Sequence, residues 1–283
     1  MILAHRGDSF LAPENTLEAA RLGLESGADG WELDVQLTRD GVPVVFHDPS
    51  LTRTTDVSRT FAGDPRQATG FLVADFTAAE IARLDAGSWF VDPSGGPRSA
   101  AGFGTIDRLC EPLRALYASG RVRVPTLVEA LAITSDLDAL VNVEIKPTSG
   151  EKVAVVDAVL SEIRAARVED LVTVSSFDHE VVSLIAARAP EVATGALVES
   201  LPESDLAAWL RSIGADALHA PASVIGPSTE GVPTLVYTVN DARPTGLAWQ
   251  LSEKRVAGLF TDDPTSMAIR FGITPSARRT RPR

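Results

Sequence analysis

Three acidic residues are spaced so that their carboxylates could share one face of a sheet. Glu32 and Asp34 stand two apart in an alternating apolar and polar run from 31 to 38, and Glu144 stands in a second such run from 141 to 146. Side chains two apart on a strand point to the same side, so each run has one polar face. A half-exposed strand whose polar face meets water has the same pattern. In a barrel, where helices cover the outer faces of the strands, the polar side points inward instead.

Carboxylates packed inside a barrel predict a cation beside them. They repel one another and lose hydration, which costs several kcal/mol per ion without a counter-charge. Three carboxylates without a thiolate favour one hard divalent ion, Mg²⁺ or Ca²⁺ with Mn²⁺ as a further candidate, over zinc. Cys110 is the only cysteine, which excludes an internal disulfide and a cysteine-based zinc cluster.

Two histidines and two cationic residues are expected at the same rim. His5 and His47 each end a predicted strand that leads to the carboxylate-bearing face. Two imidazoles beside a metal-bound group could divide proton transfer between them, which typically contributes about 10²–10⁴-fold to a rate. Arg6 and Lys146 add positive charge, and a phosphate oxyanion would explain their presence beside three acids. A simple ion pair between Lys146 and Glu144 is the structural alternative, and both interpretations can hold together.

The elements that position these residues are short and regularly spaced. Helical patterns separate most of the β-like runs, which argues for a closed parallel α/β barrel, with a doubly wound open sheet as the alternative. A (β/α)8 barrel routinely reaches 283 residues as one domain. The predicted strands cover residues 2–5, 30–35, 42–47, 140–146, 171–175, 193–198, 215–219, 233–239 and 256–261.

One connection is too short for a parallel crossover. Residues 38–41 leave only a tight turn between two of these strands, so the segment from 31 to 47 is predicted to be a hairpin. Folding it about Asp40 would place Asp34 roughly opposite His47, which makes the two residues cross-strand neighbours. Eight strands then remain for the barrel. The pair Asn15 and Glu18 predicts a capping box for the first helix, and residues 77–80 and 126–129 have the same spacing.

The chain is predicted to form one catalytic domain from 1 to 272, with an insertion at about 49–124 and a flexible basic tail from 273 to 283. Arg53 and Trp89 could reach the site from the insertion, although packing is the preferred role for Trp89. Of the two remaining histidines, His179 is assigned no role. His219 ends a predicted strand and could line the mouth of the site, although a structural role is the preferred interpretation.

Composition excludes several classes of protein. The net charge of −12 argues against a nucleic-acid partner. No apolar run approaches the roughly 18 residues of a transmembrane segment. The first residues lack a secretory pattern, so a cytoplasmic location is expected. No nucleic-acid partner and no transmembrane segment are therefore expected, and the sequence indicates no oligomeric state.

Short motifs follow one another along nearly the whole chain. They include residues 5–7 (HRG), 13–16 (PENT), 32–35 (ELDV), 38–41 (TRDG), 47–48 (HD), 51–55 (LTRTT), 85–90 (DAGSWF), 143–147 (VEIKP), 175–177 (SSF), 237–240 (YTVN) and 261–264 (TDDP). In this order they resemble the glycerophosphodiester phosphodiesterase family. The resemblance implies a distorted TIM barrel that hydrolyses glycerophosphodiesters to glycerol 3-phosphate and an alcohol, using one divalent cation, and a small molecule is therefore the implied substrate.

The resemblance also implies roles for single residues. His5 and His47 match the catalytic pair of the family, and Glu32, Asp34 and Glu144 match its metal ligands.

The remaining matches concern the substrate. Arg6 and Lys146 correspond to the phosphate-binding cations, while Tyr237 stands where many relatives have tryptophan, a departure that bears on the pocket for glycerol. The insertion is longer than usual for the family. A related barrel phosphodiesterase acting on lysophospholipid-type substrates is the main alternative. A metal-assisted isomerase or aldolase and a non-catalytic phosphate-binding barrel are further ones.

Overall fold

A computed structural model of the chain describes residues 1–146 and 152–273. Eight parallel strands close into a barrel, because the first strand pairs with both the second and the last. A ninth strand, β3, pairs antiparallel with β2 outside this ring. The strands are β1 (Ile2–His5), β2 (Gly30–Leu37), β3 (Pro43–Val45), β4 (Leu140–Ile145), β5 (Val172–Ser176), β6 (Ala193–Leu197), β7 (Ala217–Pro221), β8 (Thr234–Tyr237) and β9 (Gly258–Thr261).

These strands confirm the closed barrel over the open sheet. Each predicted strand is present with its ends shifted by no more than two residues. Helices cover the outer face of the barrel or belong to the insertion. They are α1 (Leu17–Glu25), α2 (Val57–Thr60), α3 (Ala78–Ile81), α4 (Ala100–Phe103), α5 (Glu111–Tyr117), α6 (Leu127–Leu137), α7 (Lys152–Ala166), α8 (His179–Arg188), α9 (Leu206–Ile213), α10 (Leu247–Glu253) and α11 (Pro264–Arg270).

The hairpin is present, but its register differs by one residue from the prediction. Asp34 lies opposite Phe46, whose backbone N–H donates to the Asp34 carbonyl at 2.9 Å, and not opposite His47. The difference arises in the loop: Thr38 pairs with Val42 through a 3.0 Å backbone bond, so three residues form the turn. Gly41, at φ 78°, supplies the left-handed residue that a three-residue hairpin loop uses.

Strands β1 and β3 meet end to end along one edge of β2. The other edge of β2 is taken by β4 from Gly30 to Val35. On the edge that β4 does not occupy, β1 pairs with the first part of β2, up to Glu32. On the same edge, β3 pairs with the last part of β2, from Val35. The chain leaving β3 therefore runs toward the end of β1, which brings the segment after Val45 close to His5.

Apolar side chains form two large layers and one separate core under the insertion. The outer face of β2, β4 and β5 packs against α1, α6, α7 and α8, and β6–β9 pack against α9–α11. All eight residues of β2 are buried, as expected for a strand covered on both faces. In the insertion, α2–α5 enclose a third core that includes Phe76, Phe90 and Tyr117. Trp89 packs against this core and donates its Nε1–H to the Ala86 carbonyl at 2.8 Å.

Capping was predicted correctly at two helices and wrongly at one. Thr77 with Glu80 and Thr126 with Glu129 form capping boxes. For α1 the N-cap is Thr16, whose hydroxyl accepts from Ala19 N, and not Asn15. Asn15 is at φ 58° and uses its side chain elsewhere, as described below.

The predicted division into one domain with an insertion stays a prediction. Of the predicted tail, residues 274–283 lie outside the described residues. Within the described ranges, no helix combines the length and the apolar character that crossing a bilayer requires.

His219 lies inside the barrel, and a structural role for it stays a prediction. Its side chain is fully buried, and neither ring nitrogen has a hydrogen-bond partner within residues 1–146 and 152–273. A Cβ added at Gly195 would lie 2.4 Å from the imidazole, so glycine there makes room for the ring. Burial lowers the pKa of His219 to about 3.

We expect His219 to make stability fall in acid. The folded-state pKa of about 3 lies below the ordinary value of about 6.5, so the unfolded chain binds the proton first as pH falls. The contribution is complete above pH ~6.5 and is lost toward pH ~3, by up to about 1.4 kcal/mol per pH unit. Urea unfolding of the wild type and His219→Leu from pH 7 to 4.5 measures this. The variant should lose less stability in acid, and parallel curves would contradict the prediction.

Candidate active site

Three carboxylates converge on the inner face of the adjacent strands β2 and β4. Glu32 and Asp34 lie on β2, and Glu144 lies on β4 directly beside Asp34. One oxygen from each of the three lies within 4.8 Å of the others. Glu32 and Asp34 are 3% and 1% exposed, so bulk water does not screen their repulsion. The sequence prediction that these three acids share an inner face is met.

The electrostatics of the three acids fit a divalent cation. Burial, together with the charges of Asp34 and Glu144, raises the pKa of Glu32 well above its ordinary value. Burial and Asp34 also raise the pKa of Glu144. Burial acts in the same direction on Asp34, but Arg6 and then Lys146 and His47 outweigh it and lower its pKa to about 2. A cation among these oxygens would reverse the two upward shifts.

Unused oxygen atoms support the same conclusion. Glu32 Oε1 is buried and has no hydrogen-bond partner in the described part of the chain. Asp34 Oδ1 lies 3.2 Å from Lys146 Nζ but not in hydrogen-bonding geometry. Buried polar atoms in native proteins are nearly always satisfied, so these two oxygens point to a ligand. Hard cations such as Mg²⁺ and Ca²⁺ take carboxylate oxygens of this kind.

Arg6 enters the site through a tight turn after β1. Its backbone is left-handed at φ 58° and its N–H donates to Glu32 Oε2 at 2.8 Å. Gly7 follows at φ 80°, where a Cβ would lie 2.4 Å from the backbone of Ala19. The guanidinium donates to Glu14 Oε1 at 2.7 Å, and its Nε lies 3.3 Å from Asp34 Oδ2. The turn therefore inserts a permanent cation among the acids.

Lys146 completes the rim beyond β4. Its ammonium donates to Glu144 and lies beside Asp34. Burial alone would lower the pKa of Lys146, but Asp34 and Glu144 raise it overall, so it stays charged. The predicted ion pair with Glu144 is present.

His5 ends β1 with one ring nitrogen toward the acids and the other held by a carboxylate. Nε2 lies 3.9 Å from Glu32 Oε2, while Nδ1 forms a 2.7 Å hydrogen bond with Asp262 Oδ1. Asp262 follows β9, the strand next to β1, and Asn240 Nδ2 donates to its second oxygen at 2.8 Å. Burial and the Arg6 charge lower the pKa of His5, against the opposing effect of Asp262.

His47 reaches the site by a different route from the predicted cross-strand pairing. The Gln36 amide donates to the carbonyls of Phe46, His47 and Asp48 at 2.8–3.1 Å and so bends the chain beyond β3. His47 Nδ1 forms a 2.6 Å hydrogen bond with Asp48 Oδ1. The His47 side chain is 31% exposed against 15% for His5, so it lies nearer the solvent.

Tyr237 borders the site at the end of β8. Its hydroxyl donates to the Val198 carbonyl at 2.7 Å, which fixes the ring. Burial and the charges of Glu199 and Glu144 raise its pKa to about 12. The exposed ring of Phe177 packs edge-on against it, with centroids 6.1 Å apart. The two aromatic rings form one wall beside Glu144.

Sequence reasoning missed four residues that hold the working groups. Glu14 binds Arg6, Asn15 Nδ2 donates to Asp34 Oδ2 at 2.7 Å, Gln36 bends the chain before His47, and Asp262 holds His5. Gln36 was open to prediction, because it continues the alternating polar face of Glu32 and Asp34. The other three stand in short motifs whose partners are set only by the tertiary fold.

Comparisons with known proteins find similarity along nearly the whole chain. A sequence profile described as the glycerophosphoryl diester phosphodiesterase family matches residues 5–266. A glycerophosphodiester phosphodiesterase from Caldanaerobacter subterraneus subsp. tengcongensis is 32% identical over 276 residues, covering 94% of this chain and 96% of the relative.

Solved structures show the same fold. A phosphodiesterase from Oleispira antarctica, in complex with the product sn-glycerol-3-phosphate, is 29% identical with a TM-score of 0.77 and covers 96% of both chains. A glycerophosphodiester phosphodiesterase from Agrobacterium tumefaciens is 26% identical with a TM-score of 0.66, covering 95% of this chain and 98% of its own.

We expect Mg²⁺, Ca²⁺ or Mn²⁺ to stabilise the wild-type protein through the three carboxylates. A ligand that binds only the folded state at a hundredfold excess over its Kd adds about 2.7 kcal/mol to the free energy of unfolding. Thermal unfolding with each ion and with EDTA measures the shift. Glu32→Gln should remove most of it, whereas Glu230→Gln, a change at an exposed acid, should keep it. Equal shifts in all three proteins would place the ion elsewhere.

Proposed function

We propose that this chain, which belongs to the glycerophosphodiester phosphodiesterase family and is a phosphoric diester hydrolase, releases glycerol 3-phosphate and an alcohol by histidine acid–base catalysis. The observation that carries the proposal is the convergence of Glu32, Asp34 and Glu144 with His5 at one rim of the barrel. The product sn-glycerol-3-phosphate in the Oleispira antarctica structure supports the choice of substrate.

In this proposal the three carboxylates hold one divalent cation. Such an ion, when bound, would polarise the non-bridging phosphate oxygens as a Lewis acid. Arg6 and Lys146 add two fixed positive charges near the same position, where they offset the negative charge that grows as phosphorus becomes five-coordinate. Their ion pairs with Asp34 orient both side chains before the substrate arrives.

His5 and His47 divide the proton transfers. One imidazole removes the proton from the attacking oxygen, and the other donates a proton to the departing alcohol oxygen as its bond to phosphorus breaks. If the neighbouring glycerol hydroxyl attacks, a cyclic phosphate forms and water then opens it. If water attacks directly, one step gives both products. The same two imidazoles serve either route.

The hydrogen bonds of the two rings favour this division. Asp262 accepts from His5 at Nδ1, and Asp48 accepts from His47 at Nδ1, when these nitrogens carry the proton. Nε2 of each neutral ring is then a free proton acceptor. A carboxylate behind each imidazole also stabilises the imidazolium that forms during transfer.

Tyr237 is proposed to line the pocket for glycerol. Its fixed ring and the neighbouring Phe177 present an apolar wall beside Glu144 and Lys146. The cytoplasmic location stays a prediction.

The activity is tested by glycerol 3-phosphate release. We expect release from glycerophosphocholine and glycerophosphoethanolamine, loss of that release after exhaustive chelation, and recovery on adding back Mg²⁺, Ca²⁺ or Mn²⁺. A lysophospholipid measured in parallel tests the alternative substrate class, and faster turnover of it would replace the glycerophosphodiester assignment. Full activity after complete metal removal would contradict the role of the three carboxylates.

The two histidines are tested separately. His5→Ala and His47→Ala should each lower kcat by at least about a hundredfold, because each removes one proton transfer. His179→Ala is the matched control, since His179 lies on α8 and its Nε2 contacts the Leu197 carbonyl. Circular dichroism checks that each variant is folded. A folded His5 or His47 variant with a near-normal rate would remove that residue from the mechanism.

A further inference from the structure

One arginine of the insertion contacts the residue that holds His5. Arg98 Nη2 donates to Asp262 Oδ1 at 2.9 Å and to Ser9 Oγ at 3.1 Å. Its Nε donates to Glu14 Oε2 at 2.8 Å. The side chain is 27% exposed and lies at the rim, so one guanidinium joins the carboxylate partners of His5 and of Arg6.

The contact bears directly on the position of the imidazole. Asp262 Oδ1 accepts from Ser9 Oγ at 2.9 Å and Arg98 at 2.9 Å, and it also binds His5 Nδ1 at 2.7 Å. Asn240 holds the other oxygen. Arg98 is the charged donor among these groups that stays protonated at every working pH, and charge-assisted bonds are about twice as strong as neutral ones. Its loss would free Asp262 to rotate away from the imidazole.

Local contacts of residues 96–103 restrict the position of Arg98. Ser99 caps α4 by accepting from Gly102 N, and a Cβ added at Gly102 would lie 2.4 Å from the Gly96 carbonyl. This close approach keeps the loop before α4 folded onto the helix. The Arg98 guanidinium also lies 5.5 Å from the centre of the Phe103 ring, within range of a cation–π interaction.

The same segment is fixed to the chain that follows Arg6. Phe103 packs against Phe10 with ring centroids 5.1 Å apart, and the Thr105 hydroxyl donates to the Phe10 carbonyl at 2.8 Å. Asp262 in turn accepts from Ser9, the neighbour of Phe10. The segment that carries Arg98 and the carboxylate of Asp262 therefore both contact the same two residues, Ser9 and Phe10.

Another insertion arginine shows that this contact is specific. Arg53 also donates to Glu14, but its remaining hydrogen bonds go to Asp48, the partner of His47. Each histidine thus has its own carboxylate, and each carboxylate has its own arginine. Arg53 cannot replace Arg98 at Asp262 while it holds Asp48.

We propose that Arg98 is a positioning residue for His5, acting through Asp262. The inference rests on the proposed function, because it takes His5 to transfer a proton. It extends that function to the insertion, which supplies the side chain that orders one of the two imidazoles. Arg6 keeps its ion pairs with Asp34 and Glu14 when Arg98 is removed, so substrate affinity is expected to change little.

The first test compares Arg98→Ala with Arg66→Ala. Arg66 is a matched control: it lies in the insertion, pairs with Asp64 and Glu80 and stacks on Phe76, and none of these partners belongs to the candidate active site. We expect Arg98→Ala to lower kcat about 10–100-fold with KM changed by less than about threefold, the size typical of a lost orienting contact. Arg66→Ala should lower the urea midpoint and leave kcat of the folded protein unchanged. Methylguanidinium should restore kcat to Arg98→Ala only.

A double-mutant cycle with Asp262→Asn tests the route. If Arg98 acts through Asp262, its removal should lower kcat far less in Asp262→Asn than in the wild type. Additive losses would overturn the proposal, as would an Arg98→Ala effect confined to KM or a normal kcat. The His5→Ala variant distinguishes a failure of the proposed function from a failure of the inference about Arg98. Activity retained in His5→Ala refutes the proposed function, whereas an inactive His5→Ala beside a normal Arg98→Ala refutes only this inference.

Discussion

Excess negative charge buried at the barrel mouth is the constraint on which the rest of the site depends. If all six carboxylates of the described site were ionised and both histidines neutral, four cationic side chains would leave two negative charges uncompensated, and the raised pKa values of Glu32 and Glu144 reflect this excess. Desolvated like charges are costly, and a doubly charged ion is the compact way to balance them. The same constraint is consistent with the ion pairs that Arg6 and Lys146 both form with Asp34. The acids are Glu14, Glu32, Asp34, Asp48, Glu144 and Asp262, and the cations are Arg6, Arg53, Arg98 and Lys146.

The parts of this arrangement that follow from strand periodicity were predictable from sequence. Alternation along β2 fixes Glu32 and Asp34 on one face, and the parallel pairing of β2 with β4 places Glu144 beside them. A barrel covered by helices turns that face inward. The strand pattern that predicts a barrel and the polar face that carries the three acids are therefore two independent signals for the same fold. Gln36 belongs to the same face. Its position beside Glu32 and Asp34 was therefore also predictable from the alternation, although its hydrogen bond to the His47 carbonyl was not.

The parts decided by single turns or by distant contacts were not predictable. The three-residue loop 39–41 sets the β2–β3 register one residue away from the predicted one. Gly41 at the left-handed position suits this loop, but it marks the turn without fixing the pairing of the strands. The N-cap of α1 is Thr16 because the Asn15 side chain is engaged with Asp34, a choice made by tertiary contact over local preference. The bond from Arg98 to Asp262 spans 164 residues, and neither residue type indicates its partner.

Under the proposed function, closure of the barrel is therefore a functional requirement as well as a structural one. His5 ends the first strand, while Asp262 follows the last, and these residues are 257 positions apart in sequence. They meet only because β1 pairs with β9, and Arg98 reaches them only because the insertion rests on the segment after β1. A partly open sheet would keep Glu32, Asp34 and Glu144 together on β2 and β4 but would separate His5 from its carboxylate. The three acids of the proposed metal site lie on two adjacent strands, whereas the His5–Asp262 pair, proposed to transfer a proton, forms only in the closed fold.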